Sequence, residues 1–380
     1  MQKFLQVIKD ILEWLIQALS AVLATQQGQP PQSPNDIPIP TRLPREKPTK
    51  TDDATEESSE TDSEETPSEE TEEEPEPRPR RSRRGGIEID PDYGKRRGFN
   101  RRFLSIALPF PQLAPLWASS VVEFEEFNNS KQVELKYHHF SVVMNIQRKM
   151  PFFTAVNIDG ESYEALKEEV PTRREIGVDK WFFDPRIAKT QQLGADFYKG
   201  NDFDIGHMVR REDALWGETL EEAIKANNDT FHLTNACPQH KDFNRNAKRW
   251  LGLENYALQN ARKYGLKISV YTGPIFRRND LIYNGIRIPA SFWKVIVMIK
   301  DNGSPSATGY LVQQKDLIED MDKQEFVYSQ FLTYQVPIAE IERLTNISFF
   351  LNNYDPLQKS NRRNLTFQPE PIDDYEMIEF

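Results

Sequence analysis

The sequence predicts an α+β fold. Short runs of β-branched and aromatic residues bounded by turn signals recur from about residue 105 onward, one stretch among them has helical periodicity, and no internal repeat orders them. His139–Asn145 and Thr154–Ile158 read as strands, the second closing in Asp159-Gly160, and Lys267–Thr272 and Phe292–Ile299 read as two more. The last is apolar enough to lie centrally in a sheet. Residues 245–264 read as a helix, with Trp250, Leu251, Leu258 and Ala261 at helical spacing and Gly265 where a C-terminal cap belongs.

Four segments are expected along the chain. Residues 1–25 predict an amphipathic helix, with Phe4, Ile8, Ile11, Leu12, Leu15, Leu19 and Val22 at its apolar spacing. The uncharged run from Trp14 to Ala24 is about half the roughly 20 residues that a membrane span needs. Three readings stay open: a helix that self-associates into a homo-oligomer or docks on a partner protein, a helix lying on a membrane surface, and a signal peptide. Lys3 and the Ala-Val-Leu-Ala pattern favour the last, and Asp10 and Glu13 oppose it. Residues 26–104 are Pro-rich, then acidic, then Arg-rich, and are expected to be a disordered linker because they offer too little apolar surface to offset the entropy of ordering. Residues 105–368 hold the α+β domain, and 369–380 form an acidic tail.

The net charge of −11 over 380 residues counts at first against a nucleic-acid protein. It is unevenly placed. Residues 51–77 carry −14 and residues 369–380 carry −5, while 78–104 carry +7 and 105–368 are nearly neutral at −1. The Arg/Lys block of 78–104 reads either as a phosphate grip or as a solvated linker. The carboxylates of 51–77 read either as an electrostatic brake on a tethered domain or as a solubilising spacer. The single cysteine, Cys237, excludes an intrachain disulfide and a Cys-built zinc site. It fits a cytoplasmic home, with a secreted or periplasmic one as the alternative.

Two clusters carry the chemistry. The first is Asp204-Ile205-Gly206-His207-Met208-Val209-Arg210-Arg211, and the second runs from Asn235-Ala236-Cys237-Pro238-Gln239 through Asn244 to Trp250-Leu251-Gly252-Leu253-Glu254. Their order and spacing resemble the DNA/RNA non-specific endonuclease family of ββα-metal (His-Me finger) nucleases, the endonuclease G-like group. Its motifs read Asp-Arg-Gly-His, Asn-x-x-Pro-Gln, Asn, and Trp-x-x-Leu-Glu. Further stretches are similar: Phe153–Gly160, Trp181 with Asp184-Pro185-Arg186, Tyr271–Pro274, and Pro289 with Phe292-Trp293-Lys294. The likeness spans about residues 115–350.

The resemblance implies a ββα-metal nuclease domain with a central, mostly antiparallel sheet, acting on DNA or RNA. Phosphodiester hydrolysis needs a base for the water, a Lewis acid and cations for the developing charge. By resemblance His207 is the base, and Asn244 is the protein ligand of a Mg²⁺ ion, with Mn²⁺ as a substitute. Glu254 acts as a catalytic carboxylate and metal or metal-water ligand. Asn235 either participates directly or braces the site. Ile205 departs from the motif, which has Arg there; Arg210 and Arg211 are the expected replacements, with Arg173, Arg174, Lys180 and Arg186 as further sources of charge. The ten-residue gap from Asn244 to Glu254 places Asn244 just before the regular helix. His138, His139 and His232 read as packing residues, and His240 as a loop residue with a possible substrate contact. Two functions follow. One is a metal-dependent, sequence-non-specific endonuclease, restrained as a regulated effector in a defence or cell-death system. The other is a catalytically impaired nuclease fold serving as a binding or assembly module.

Overall fold

The computed structural model describes residues 86–125, 130–170, 172, 179–246, 250–319, 333–361 and 370–372. All lie within the second of two compact units, Pro77–Phe380. The helix expected over 1–25, the acidic run of 51–77 and the arginines of 78–84 lie outside the described residues. No helix among the described residues is long and apolar enough to cross a membrane.

The core is built on one antiparallel sheet of eight strands. In chain order the strands that matter are β1 (Glu134–Lys136), β2 (Phe140–Asn145), β3 (Met150–Asp159), β4 (Phe203–His207), β5 (Ala236–His240), β6 (Lys267–Pro274), β7 (Ser291–Ile299), β8 (Pro305–Gln313), β9 (Thr333–Val336) and β10 (Glu370–Ile372). The large sheet runs β10-β9-β8-β7-β6-β3-β2-β1, and β4 pairs with β5 in a separate ladder. Val156 stands opposite Val270, Tyr271 opposite Val295, and Ile296 opposite Thr308. Helices are α1 (Gly160–Leu166), α2 (Arg211–Ala214), α3 (Leu220–Asp229), α4 (Lys241–Asn244), α5 (Trp250–Lys263), α6 (Lys315–Glu319) and α7 (Ile338–Thr345).

Both faces of the sheet are covered, which is why β7 reads as a continuous apolar run. Phe292 and Ile296 point to one face with Val270, Tyr310 and Val312, where Met208, Val209, Phe243, Trp250 and Leu253 pack on them. Trp293, Val295 and Val297 point to the other, where Phe99, Leu104, Leu108, Ile338, Ile341 and Phe349 cover them. Helix α5 presents Trp250, Leu253, Leu258 and Ala261 to the first face. It ends as the sequence predicts: Gly265 adopts a φ of +60°, and the Leu266 N–H donates to the Ala261 carbonyl at 2.7 Å.

Two expected boundaries are corrected. The linker does not extend to 104, because residues 86–104 are built into the domain. The Arg96 side chain is fully buried and meets the Asp229 carboxylate at 2.8 Å through both Nε and Nη2, while Phe99 and Leu104 join the core. Asp229 also accepts from the His138 backbone N–H at 3.0 Å and from its Nδ1 at 2.8 Å. Burial opposes ionisation of Asp229, but these donors hold its carboxyl well below the usual range. The anchoring is ionic, so no aliphatic periodicity announces it. At the other end, Glu370–Ile372 of the expected tail adds an edge strand to β9.

A buried carboxylate stripped of its arginine is costly. Arg96→Met is expected to lower stability by about 3–5 kcal/mol in denaturant unfolding. The double variant Arg96→Met/Asp229→Asn should recover part of that loss, whereas an unchanged midpoint for the single variant would show that this segment is no part of the folded domain.

Candidate active site

The site begins with the β4–β5 ladder. Phe203 pairs with His240, Ile205 with Pro238 and His207 with Ala236. Because side chains alternate along a strand, Ile205 and His207 share one face, and Asp204 and Gly206 the other. Gly206 is required by its neighbour: a Cβ there would lie 2.1 Å from Gln239 Oε1. The motif's glycine therefore lets the Gln239 side chain cross the strand.

Asn235 locks this ladder to the chain around it. Its Oδ1 accepts from the Val209 N–H at 2.9 Å, and its Nδ2 donates to the carbonyls of Val209 at 2.8 Å and Thr230 at 2.9 Å. The side chain is wholly buried, and both ends of the amide are engaged with backbone. These bonds tie the backbone at Val209 to that at Thr230.

His207 closes β4 with its ring against Trp181 (centroids 4.5 Å apart) and Phe231 (5.1 Å, edge-on). Asn244 ends the short helix α4, before α5, as its spacing predicts. Its Nδ2 donates to Asp204 Oδ2 at 3.0 Å, and Arg245 Nε donates to the same oxygen at 2.8 Å. Asp204 thus fixes the amide's nitrogen end, which leaves the carbonyl oxygen as the end able to bind a cation.

Glu254 lies in the first turns of α5 and is only 7% exposed. Its Oε1 is 3.4 Å from Nζ of Lys294, itself 2% exposed, which also donates to Thr272 Oγ1 at 3.2 Å and sits 4.3 Å over the Trp250 ring. Burial pushes the Glu254 carboxyl up to about 7, against the pull of Lys294 and Arg210. The importance of Lys294 is missed when the sequence is read by motif alone. A lysine inside the apolar run Phe292–Ile299 is the available signal, since such a charge needs a buried counter-charge.

The expected replacement cations are mostly committed. Arg210 donates through Nη1 to Asn255 Oδ1 at 2.9 Å and through Nε to Glu212 Oε2 at 3.3 Å, while Arg211 lies 3.4 Å from the other Glu212 oxygen. Burial works against the charge on Arg210, yet Glu254, Asp213 and Glu212 outweigh it and hold its pKa above the usual value. Arg186 is absorbed into structure, paired with Asp184 at 2.6 Å and stacked over Tyr93 and Tyr137. Arg173 and Arg174 lie outside the described residues. Lys180 is exposed, with its ammonium 4.9 Å over Phe182.

The other histidines pack as expected, with one correction. His240 ends β5 rather than lying in a loop, is buried, and caps α4 by accepting from the Asp242 N–H at 3.2 Å. Among the described residues no three His, Cys, Asp or Glu side chains converge on a metal position. A donor set of one amide oxygen completed by water suits a hard, strongly hydrated cation such as Mg²⁺.

A carboxyl whose folded-state pKa exceeds its unfolded one favours the folded state below the unfolded value and loses that advantage as pH rises through the folded value. In EDTA, Glu254→Gln is therefore expected to leave Tm unchanged near pH 4.5 and to raise it above pH 7. A Tm gain that is the same at both pH values would contradict the shifted carboxyl.

Comparison with known proteins identifies the family of the chain. The model of the DNA/RNA non-specific endonuclease family matches residues 120–355. Uncharacterized protein y4fB of Sinorhizobium fredii (strain NBRC 101917 / NGR234) is 39% identical over 267 residues, 67% of this chain and 39% of its own. Nuclease 1, mitochondrial, of Schizosaccharomyces pombe (strain 972 / ATCC 24843) is 27% identical over 245 residues, 60% of this chain and 68% of its own. A chain from the crystal structure of the EndoG/EndoGI complex superposes with a TM-score of 0.44 at 22% identity, over 58% of this chain and 86% of that one. This chain thus spans about two fifths of the first relative's length. The family match covers well over half of the 380 residues, and the chain belongs to the DNA/RNA non-specific endonuclease family.

Proposed function

We propose that the protein is a metal-dependent, sequence-non-specific endonuclease that hydrolyses phosphodiester bonds of DNA, with RNA as a second substrate. One observation carries this reading. A single short strand, β4, bears His207 at its end and, through Asp204, holds the amide of Asn244.

His207 has the chemistry of a general base, because an imidazole can both take up and release a proton near neutral pH. It takes a proton from the water whose oxygen attacks phosphorus in line; the bond from phosphorus to the leaving sugar oxygen breaks, and that oxygen keeps the electron pair and takes a proton from solvent. Asn244 would hold Mg²⁺, or Mn²⁺ in its place, through the carbonyl oxygen, and Glu254 would bind that ion's water shell. The bound ion supplies Lewis-acid stabilisation of the charge that develops on the phosphoryl oxygens. Arg210 lies beside Glu254 electrostatically and adds positive potential there.

The second reading, a binding or assembly module, draws on Ile205. It stands on the His207 face of β4, where an apolar side chain bears no charge toward a phosphate. Arg210 and Arg211 are tied to Glu212 and lack the open fork of an unpaired guanidinium.

Incubation of the purified protein with plasmid DNA and Mg²⁺ is expected to give nicked and linear products, with His207→Ala slower by about 10²–10⁴-fold. Equal cutting by both would remove His207 from the mechanism. Ile205→Arg is expected to speed cleavage. If the natural protein binds DNA without cutting and Ile205→Arg cuts, the binding-module reading is the correct one.

A further inference from the structure

We propose that Trp181 and Phe231 are positioning residues for His207, and that the leading segment around Tyr93 and Arg96 locks them in place through His232. The proposal rests on the nuclease reading and names what fixes the orientation of its base.

Three rings meet at the site, each against the other two. Trp181 and Phe231 contact His207 at 4.5 and 5.1 Å, and they contact each other edge-on at 5.4 Å. The chains that carry them are stitched together: the Phe182 N–H donates to the Phe231 carbonyl at 3.0 Å, and the Leu233 N–H to the Phe182 carbonyl at 2.8 Å. Trp181 therefore cannot move away from Phe231 without breaking this bridge. Rings held edge-on and tilted in this way resist rotation of the one between them.

The bridge includes His232, and His232 is held from outside. Its Nδ1 lies 2.8 Å from the Asp229 carbonyl and its Nε2 lies 2.7 Å from the Tyr93 hydroxyl. A carbonyl only accepts, so Nδ1 carries the proton and Tyr93 donates to Nε2. Burial keeps this imidazole neutral by lowering its pKa. The Tyr93 ring is held by two guanidinium groups, Arg96 at 3.7 Å and Arg186 at 4.6 Å from its centroid. Arg96 in turn is clasped by Asp229, three residues before His232. A continuous set of contacts thus runs from Tyr93 to His232, along one peptide to Phe231, and on to His207. None of these groups needs to touch substrate. Their effect is geometric, and a misplacement of about 1 Å at a reacting group can cost about 100-fold in rate.

The test uses the full chain with labelled histidines, the His207 ring signals being assigned by their loss in His207→Ala. Tyr93→Phe removes one oxygen, distant in sequence from His207, and keeps the ring against its two arginines. It is expected to shift the His207 ring-proton resonances, which feel the ring currents of Trp181 and Phe231. Unmoved resonances would overturn the lock. In Mg²⁺-supported cleavage, Trp181→Ala is expected to lower kcat by about 10- to 100-fold with KM little changed, and Trp181→Phe to restore most of it. In a His207→Ala background, Trp181→Ala should have no further effect. If it instead scales the residual rate by the same factor, Trp181 does not act through His207. A natural protein that cuts no nucleic acid would overturn the nuclease reading alone, since the spectra decide the positioning claim independently.

Discussion

The pairing of β4 with β5 is the constraint on which the site depends. A two-stranded ladder is marginal by itself, and this one is secured from both ends. Asn235 spends its whole amide on the backbone of Val209 and Thr230, which pins the chain just beyond His207. At the other end Asp204 reaches Asn244 and Arg245, so the helix that follows β5 is tied back to β4. Gly206 permits the close approach by leaving room for Gln239. The proposed base and the proposed metal ligand thus come from two segments 37 residues apart in the chain yet belong to one small rigid unit laid on the sheet.

Around that unit the protein uses buried ion pairs where an apolar wall would be more ordinary. The two arginines with Glu212, and Arg96 with Asp229, lie largely out of water. Such pairs bring little net stability, but breaking one is expensive, so they fix geometry strongly. They also account for the cations. Arg96, Arg186 and Arg210 all have structural partners. On the proposed reading a polyanion would meet local features, namely a cation at Asn244, the exposed Lys180 over the Phe182 ring, and positive potential around Arg210. The overall charge of −11 is chiefly a property of residues 51–77.

Much of this was legible in the sequence. The β-rich runs His139–Asn145 and Thr154–Ile158, the largely apolar run Phe292–Ile299 and the helical spacing up to Gly265 all correspond to observed elements, because each is governed by apolar burial, which patterning reports. The motif order pointed to the family, which the match over residues 120–355 shows. What hydropathy could not report was ionic. Residues 86–104 join the domain through Arg96 and Tyr93, and a lone arginine in an Arg-rich stretch carries no sign that it is buried. Arg186 read as a candidate for phosphate until its pairing with Asp184 was seen. The role of Asn235 depends on hydrogen bonds to residues 26 positions away, which no local pattern encodes.

The proposed catalysis needs one cation, held by Asn244, working with His207 of the β4–β5 unit. The rate of DNA cleavage as a function of Mg²⁺ concentration, for the natural protein and for Asn244→Ala, tests this. A saturable dependence of first order in Mg²⁺ is expected, with no cleavage in EDTA and a large rise in the concentration needed by Asn244→Ala. Cleavage that persists in EDTA, or an identical Mg²⁺ dependence for the two proteins, would contradict it.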